Sequence, residues 1–147
     1  MQRRQFIKTG CSFCLLAAAG TMLPTLLSYP GSKNKVYKTT INENKQAEIP
    51  LSLFETGNLQ FVRIKHWYYD IAVHKEEDGT YTAILMKCTH MDNQLSVNAD
   101  GFECSLHGSH FDKKGAVTQG PAELPLTTYA TTVQDQSIFI SIPNSEE

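Results

Sequence analysis

Beyond residue 35 the apolar positions fall in short runs cut by polar turns. β-Branched and aromatic residues gather at Val36 to Ile41, Leu59 to Ile64, Tyr69 to His74, Tyr81 to Met86, Thr127 to Val133 and Ser137 to Ile142. Runs of this length, bounded by turn residues, predict strands. The last alternates most cleanly, with Ile138, Ile140 and Ile142 on one face and Phe139 and Ser141 on the other. Asp78-Gly79 and Asp100-Gly101 read as tight hairpin turns whose central residues take positive φ. No stretch in this part sustains a helical period over eleven residues. The pattern predicts an all-β domain, a small sandwich or barrel-like stack, without internal repeats.

The first thirty residues break the pattern. A basic stretch, Met1 to Lys8, precedes an apolar run from Cys11 to Leu27 rich in leucine and alanine. This is a targeting segment rather than part of the fold, and Arg3-Arg4-Gln5-Phe6-Ile7-Lys8 resembles the twin-arginine export signal of bacteria. Ala17-Ala18-Ala19 has the small-x-small form of a cleavage site. Left whole, the 17 residues from Cys11 to Leu27 reach the lower limit of about 17 for a spanning helix and would serve as an anchor. The chain thus divides into residues 1–30, an export signal or N-terminal anchor with removal favoured, and residues 31–147, one domain.

Composition narrows the class. A chain of 147 residues holds one core of ordinary size, and 41% hydrophobic content excludes a disordered chain. A mean hydropathy of −0.29 excludes a multi-span membrane protein. Without residues 1–30, ten basic residues face fifteen acidic ones, a net of −5. An acidic domain has no electrostatic footprint for nucleic acid and favours a basic partner surface. Trp67, Tyr68 and Tyr69 read as core or sheet-packing aromatics, His66 and His74 as surface or satisfied histidines, and His110 as an exposed turn residue.

Candidate chemistry lies between residues 88 and 112. Two boxes stand there, Cys88-Thr89-His90 and Cys104-Ser105-Leu106-His107-Gly108-Ser109, separated by enough chain for a hairpin to return the second beside the first. Two thiolates and two imidazoles at short spacing point to metal. Structural zinc prefers at least two residues between the ligands of one knuckle. The single residue between Cys88 and His90 suits two metal atoms joined by bridging sulfides better than one tetrahedral zinc.

The paired boxes, with Phe111-Asp112-Lys113-Lys114-Gly115 and Gly120-Pro121-Ala122 through Pro125-Leu126, resemble the Rieske iron–sulfur family over residues 82–129. The resemblance implies stacked antiparallel sheets with a small cluster-binding subdomain of two loops, at about residues 86–126. It also implies one [2Fe–2S] cluster, with Cys88 and Cys104 on one iron and His90 and His107 on the other. Ser109 stands where the family places a hydroxyl that donates to a cluster sulfide. Respiratory members carry an extra cysteine in each box, joined as a disulfide; the corresponding positions here are Asn93 and Leu106, so packing by residues such as Leu95 and Leu106 must hold the loops. A second donor, a tyrosine hydroxyl, is absent because Phe111 occupies its position, and Asp92 replaces a common glycine.

The function these features imply is an exported carrier of single electrons, with no catalytic constellation of its own. Its partners would be redox proteins, such as a membrane oxidoreductase or a cytochrome. It would work in the periplasm or on the outer face of the bacterial cytoplasmic membrane. The alternatives are a small relay subunit of a larger exported oxidoreductase, a ferredoxin serving an aromatic-ring oxygenase, and a zinc-binding module. Twin-arginine export agrees with the cluster, since that route carries folded proteins and cluster assembly precedes export.

Overall fold

A computed structural model describes residues 35–143; the predicted export segment lies outside these residues. The chain runs through β1 (Val36–Thr39), β2 (Gln46–Pro50), a 3-10 turn at Leu51–Glu55, β3 (Leu59–Ile64), β4 (Ile71–Lys75) and β5 (Tyr81–Leu85). Four very short strands follow: β6 (Ser96–Val97), β7 (Gly101–Glu103), β8 (His110–Asp112) and β9 (Val117–Gln119). The chain then completes β10 (Thr128–Tyr129), β11 (Thr131–Gln134) and β12 (Ser137–Ser141).

These strands form three sheets, ordered β1-β3-β4-β5-β10, β11-β12-β2 and β6-β7-β8-β9. All pairings are antiparallel except β1 with β3, which run parallel. The five-stranded sheet is covered on both faces, and the alternation of its strands shows how. Val62, Ile64, Ile71, Val73, Ala83 and Leu85 join Ala47, Ile49, Ile138, Ile140 and Ile142 in one core. From the opposite face, Phe61, Ala72, Ile84 and Met86 pack with Leu95, Phe102, Phe111, Ala122, Leu126 and both box cysteines in a second. Strands buried on both sides are apolar at consecutive positions, as Ile71-Ala72-Val73 is. The predicted all-β stack with a cluster-binding subdomain is therefore the observed fold, the subdomain being the outer four-stranded layer.

Several expectations change in detail. The single strand predicted over Thr127 to Val133 breaks at Ala130. Tyr129 pairs with Ala83 in the five-stranded sheet, whereas Thr131 pairs with Ile140 in the three-stranded one. Neither Asp-Gly step forms a two-residue hairpin with both centres at positive φ. Only Gly79 (84°) and Gly101 (153°) are positive, because both turns are longer. Glu76 N–H bonds Thr80 O, and Asn98 Oδ1 accepts the Asp100 and Gly101 N–H groups. Trp67 and Tyr69 pack against the core as expected, but Tyr68, in the bend between β3 and β4, is exposed. His110 is a half-buried strand residue opposite Glu103, not an exposed turn.

Candidate metal centre

Both boxes fold into the same six-residue loop. Cys88 N–H bonds Asn93 O at 2.8 Å, and Asp92 N–H bonds Cys88 O at 2.9 Å. In the second loop Cys104 N–H bonds Ser109 O at 2.8 Å, and Gly108 N–H bonds Cys104 O at 2.9 Å. The fifth residue of each loop takes positive φ, Asp92 at 48° and Gly108 at 76°. Glycine takes that conformation freely and aspartate tolerates it, which accounts for Asp92 in the first loop. The histidine comes third in one loop and fourth in the other, so matched backbones present the two imidazoles from different positions.

Both cysteines are buried and both histidines are exposed. The two thiols are hydrogen-bonding neighbours, and the rings of His90 and His107 lie 4.9 Å apart edge to face. Among the described residues no three Cys, His, Asp or Glu side chains gather around one point as a single-ion site requires. The donors come as a sulfur pair inside and a nitrogen pair outside. That segregation fits a two-iron cluster with thiolates on one metal and imidazoles on the other. Burial pushes the Cys104 thiol up, but the backbone N–H groups of His107 and Leu106, the Cys88 thiol and the Asn93 amide outweigh it, and the group lies below its ordinary value. A sulfur surrounded by N–H donors is prepared for anionic ligation.

A third segment, residues 120–126, closes over the loops. Ser109 is wholly buried, and its Oγ accepts the Ala122 N–H at 3.0 Å, leaving the hydroxyl proton to donate. Thr89 Oγ1 donates to Leu124 O at 2.6 Å, and Gln119 Nε2 donates to Gly108 O at 2.9 Å. The first loop is braced from the β3–β4 connection by the Tyr69 hydroxyl, which donates to Asp92 O. Burial pushes the Tyr69 phenol up, keeping that proton in place. Lys87 reaches Asp92 at 3.5 Å and lies over the Tyr69 ring. The Asn93 amide donates to Cys104 Sγ at 3.6 Å, linking loop to loop.

Leu95 is buried beside the cysteines as expected, whereas Leu106 is 57% exposed and packs nothing down. Its place at the loop tip, next to exposed His107, turns it outward. Phe111 is buried in β8 opposite Phe102. The sequence reading missed Tyr69, Thr89, Gln119 and the amide of Asn93. Their partners lie 23, 35, 11 and 11 residues away, distances that local patterns do not carry.

Paired loops that present two thiols inward and two imidazoles outward, on an outer layer of an all-β domain, fit an iron–sulfur protein. The chain belongs to the Rieske [2Fe-2S] domain family, whose model matches residues 48–130, more than half of its length. It carries a [2Fe–2S] cluster accordingly. It is similar to the cytochrome b6-f complex iron-sulfur subunit 1 of Synechocystis sp., 39% identical over 70 residues, covering 45% of this chain and 39% of that protein. The chain thus spans about two-fifths of the length of that curated relative. The cytochrome b6-f complex iron-sulfur subunit of Prochlorococcus marinus is 26% identical across 96% of this chain and 85% of its own. Among solved structures, the plasma membrane Rieske protein PetC3 of Synechocystis PCC 6803 superposes with a TM-score of 0.54 at 27% identity, covering 63% of this chain and 95% of that one.

Proposed function

We propose that the protein is an exported one-electron carrier in which Cys88 and Cys104 bind one iron, and His90 and His107 the other. The observation that carries this is the segregation of the donors: buried paired thiols behind exposed paired imidazoles. The cluster supplies a one-electron couple, raised relative to all-cysteine clusters because two neutral imidazoles replace two anionic thiolates. The chain's own groups do the rest. Backbone N–H groups and the Ser109 hydroxyl face the sulfur side, the core excludes water there, and the imidazoles open to a partner. Ser109 completes the ligand environment as a donor to a cluster sulfide.

Residues 1–30 act as a twin-arginine signal or anchor for residues 31–147, and the cluster enters before export. The similarity to a plasma membrane Rieske protein supports a site of action on the outer face of a bacterial membrane or in the periplasm. The donors and acceptors are redox proteins, a membrane oxidoreductase or a cytochrome. A second reading, a relay subunit of a larger exported oxidoreductase, is favoured by the similarity to cytochrome b6-f subunits.

The test is electron paramagnetic resonance of the full chain, dithionite-reduced, beside Cys104→Ser and His107→Ala. The wild type should give the rhombic Rieske signal and the variants should lose it. A signal that survives both substitutions would overturn the ligand set. Arg3→Lys with Arg4→Lys should strand loaded protein in the cytoplasm, and continued export would refute the signal. Recovery of a stable complex from membranes would decide for the subunit reading over the free carrier.

A further inference from the structure

We propose that Asn93 is a redox-tuning hydrogen-bond donor that joins the two loops, taking by its carboxamide the bridging place that a disulfide holds in the respiratory members. Like the function above, this rests on Cys104 being a cluster ligand. Asn93 is the one position in the first loop whose main chain and side chain reach both cysteines. Its carbonyl accepts the Cys88 N–H at 2.8 Å, and its Nδ2 lies 3.6 Å from Cys104 Sγ. The same Nδ2 donates to Gln94 O at 3.1 Å.

Both neighbours of that nitrogen, a sulfur and a carbonyl oxygen, are acceptors, and a primary amide nitrogen has two protons to give. This fixes which end of the carboxamide faces the sulfur, since the oxygen end would meet two acceptors with no proton. Other N–H groups aimed at Cys104 Sγ belong to Leu106 and His107, within its own loop. Besides the Cys88 thiol, which is itself a ligand in the proposed site, Asn93 is the donor named here that comes from the opposite loop. Its bond therefore does two things. It ties the loops across the cluster, and it places a positive dipole end beside a ligating sulfur in a half-buried setting, where such dipoles act strongly. An N–H beside the sulfur favours the more negative, reduced form. A disulfide at this place would brace the loops but bring no N–H proton to the sulfur.

Asn93→Leu removes both protons while keeping the branching of the side chain, and Asn93→Asp keeps the shape while replacing the donor by a carboxylate. In the loaded full chain, protein-film voltammetry should place the midpoint of Asn93→Leu below wild type and that of Asn93→Asp lower still. The Rieske resonance should persist, and the visible absorption should bleach several-fold faster under a chelator. Deuterium exchange read by electron–nuclear double resonance should lose one exchangeable proton coupling in both variants. If Asn93→Leu cannot hold the cluster, Asn93→Asp decides, and a midpoint at or above wild type overturns the proposal. A wild-type midpoint in both variants overturns it as well. Cys104→Ser serves as the control for the underlying reading. Loss of its resonance keeps Cys104 as ligand whatever Asn93 does, while an unchanged resonance removes the ligand reading itself.

Discussion

Replacing Ser109 by alanine separates packing from redox tuning at this centre. The Ser109 side chain is wholly buried, Ala122 is also buried, and the Oγ accepts the Ala122 N–H at 3.0 Å. Alanine fits the space but leaves that N–H without a partner, at a cost of about 1–3 kcal/mol. For a domain of this size each kcal/mol moves the melting temperature by about 4 °C, so the melt should fall by about 4–12 °C. This part of the effect needs no cluster and belongs equally to the apo form. The proposed function gives the hydroxyl proton a separate role, donation towards a cluster sulfide. If it favours the reduced form by about 1 kcal/mol, the midpoint should fall by about 40 mV on its loss, since about 59 mV corresponds to a tenfold change for one electron. Thermal melts of apo and loaded protein, with voltammetry of the latter, read the two effects independently. A lowered melt with an unmoved midpoint would reduce Ser109 to a strut for the residue 120–126 segment. An apo protein that melts like wild type would refute the strut.

Other predictions test other parts of the site. Phe111→Tyr should raise the midpoint by a similar few tens of mV if the added hydroxyl finds a cluster-bound sulfur, and a lowered or unchanged value would place Phe111 elsewhere than the family's tyrosine. For the same reason the wild-type midpoint should lie in the lower part of the range of about −150 to +300 mV spanned by Rieske centres; a value near the top would contradict this. Gly101→Ala should destabilise the outer sheet by about 3 kcal/mol or more, because a Cβ there would stand 2.2 Å from Phe111 O and 2.6 Å from the Asp112 carbonyl carbon. Denaturant titration within 1 kcal/mol of wild type would show that β7 and β8 can separate to admit it. The Glu76 carboxyl lies below its ordinary range, chiefly through the Thr82 hydroxyl and also through His74. A carboxyl with a depressed folded pKa contributes stability that is complete above its unfolded pKa, about 4.3, and lost as pH falls through the folded value. Wild type should therefore exceed Glu76→Gln in denaturant midpoint at pH 6, and the two should converge in strong acid; parallel curves would remove the effect.

How much of this was readable in advance depended on how locally each feature is encoded. The alternation of Ile138, Ile140 and Ile142 predicted a strand with one buried face, and all three are buried. β2 was missed although Ala47 and Ile49 alternate with Gln46 and Glu48, since two apolar positions ending in a proline make a weak signal. Strands of two or three residues, as in β6 to β9, are shorter than any periodicity and exist only through their pairing. The boxes of the centre were legible because cysteine and histidine at fixed spacing have few other uses. What positions them was not: Tyr69 under the first loop and Thr89 on Leu124 are ordinary residues whose roles arise from contacts made after the chain has folded back.

The three-stranded sheet has its sequence-distant member in the middle. β12 lies between β11 and β2, so Gln46–Pro50 has no strand neighbour in that layer until Ser137–Ser141 arrives, with Ser137 Oγ meeting Glu48 Oε1 across 89 residues. The two cysteine–histidine loops, by contrast, are closed by bonds spanning four and five residues. Local loops close at little entropic cost and distant strands at more. During synthesis the cysteine loops can therefore take shape while the far layer still waits for its central strand. The order of closure thus runs from the site outward to the far layer, the reverse of the order in which its strands β2 and β12 frame the chain.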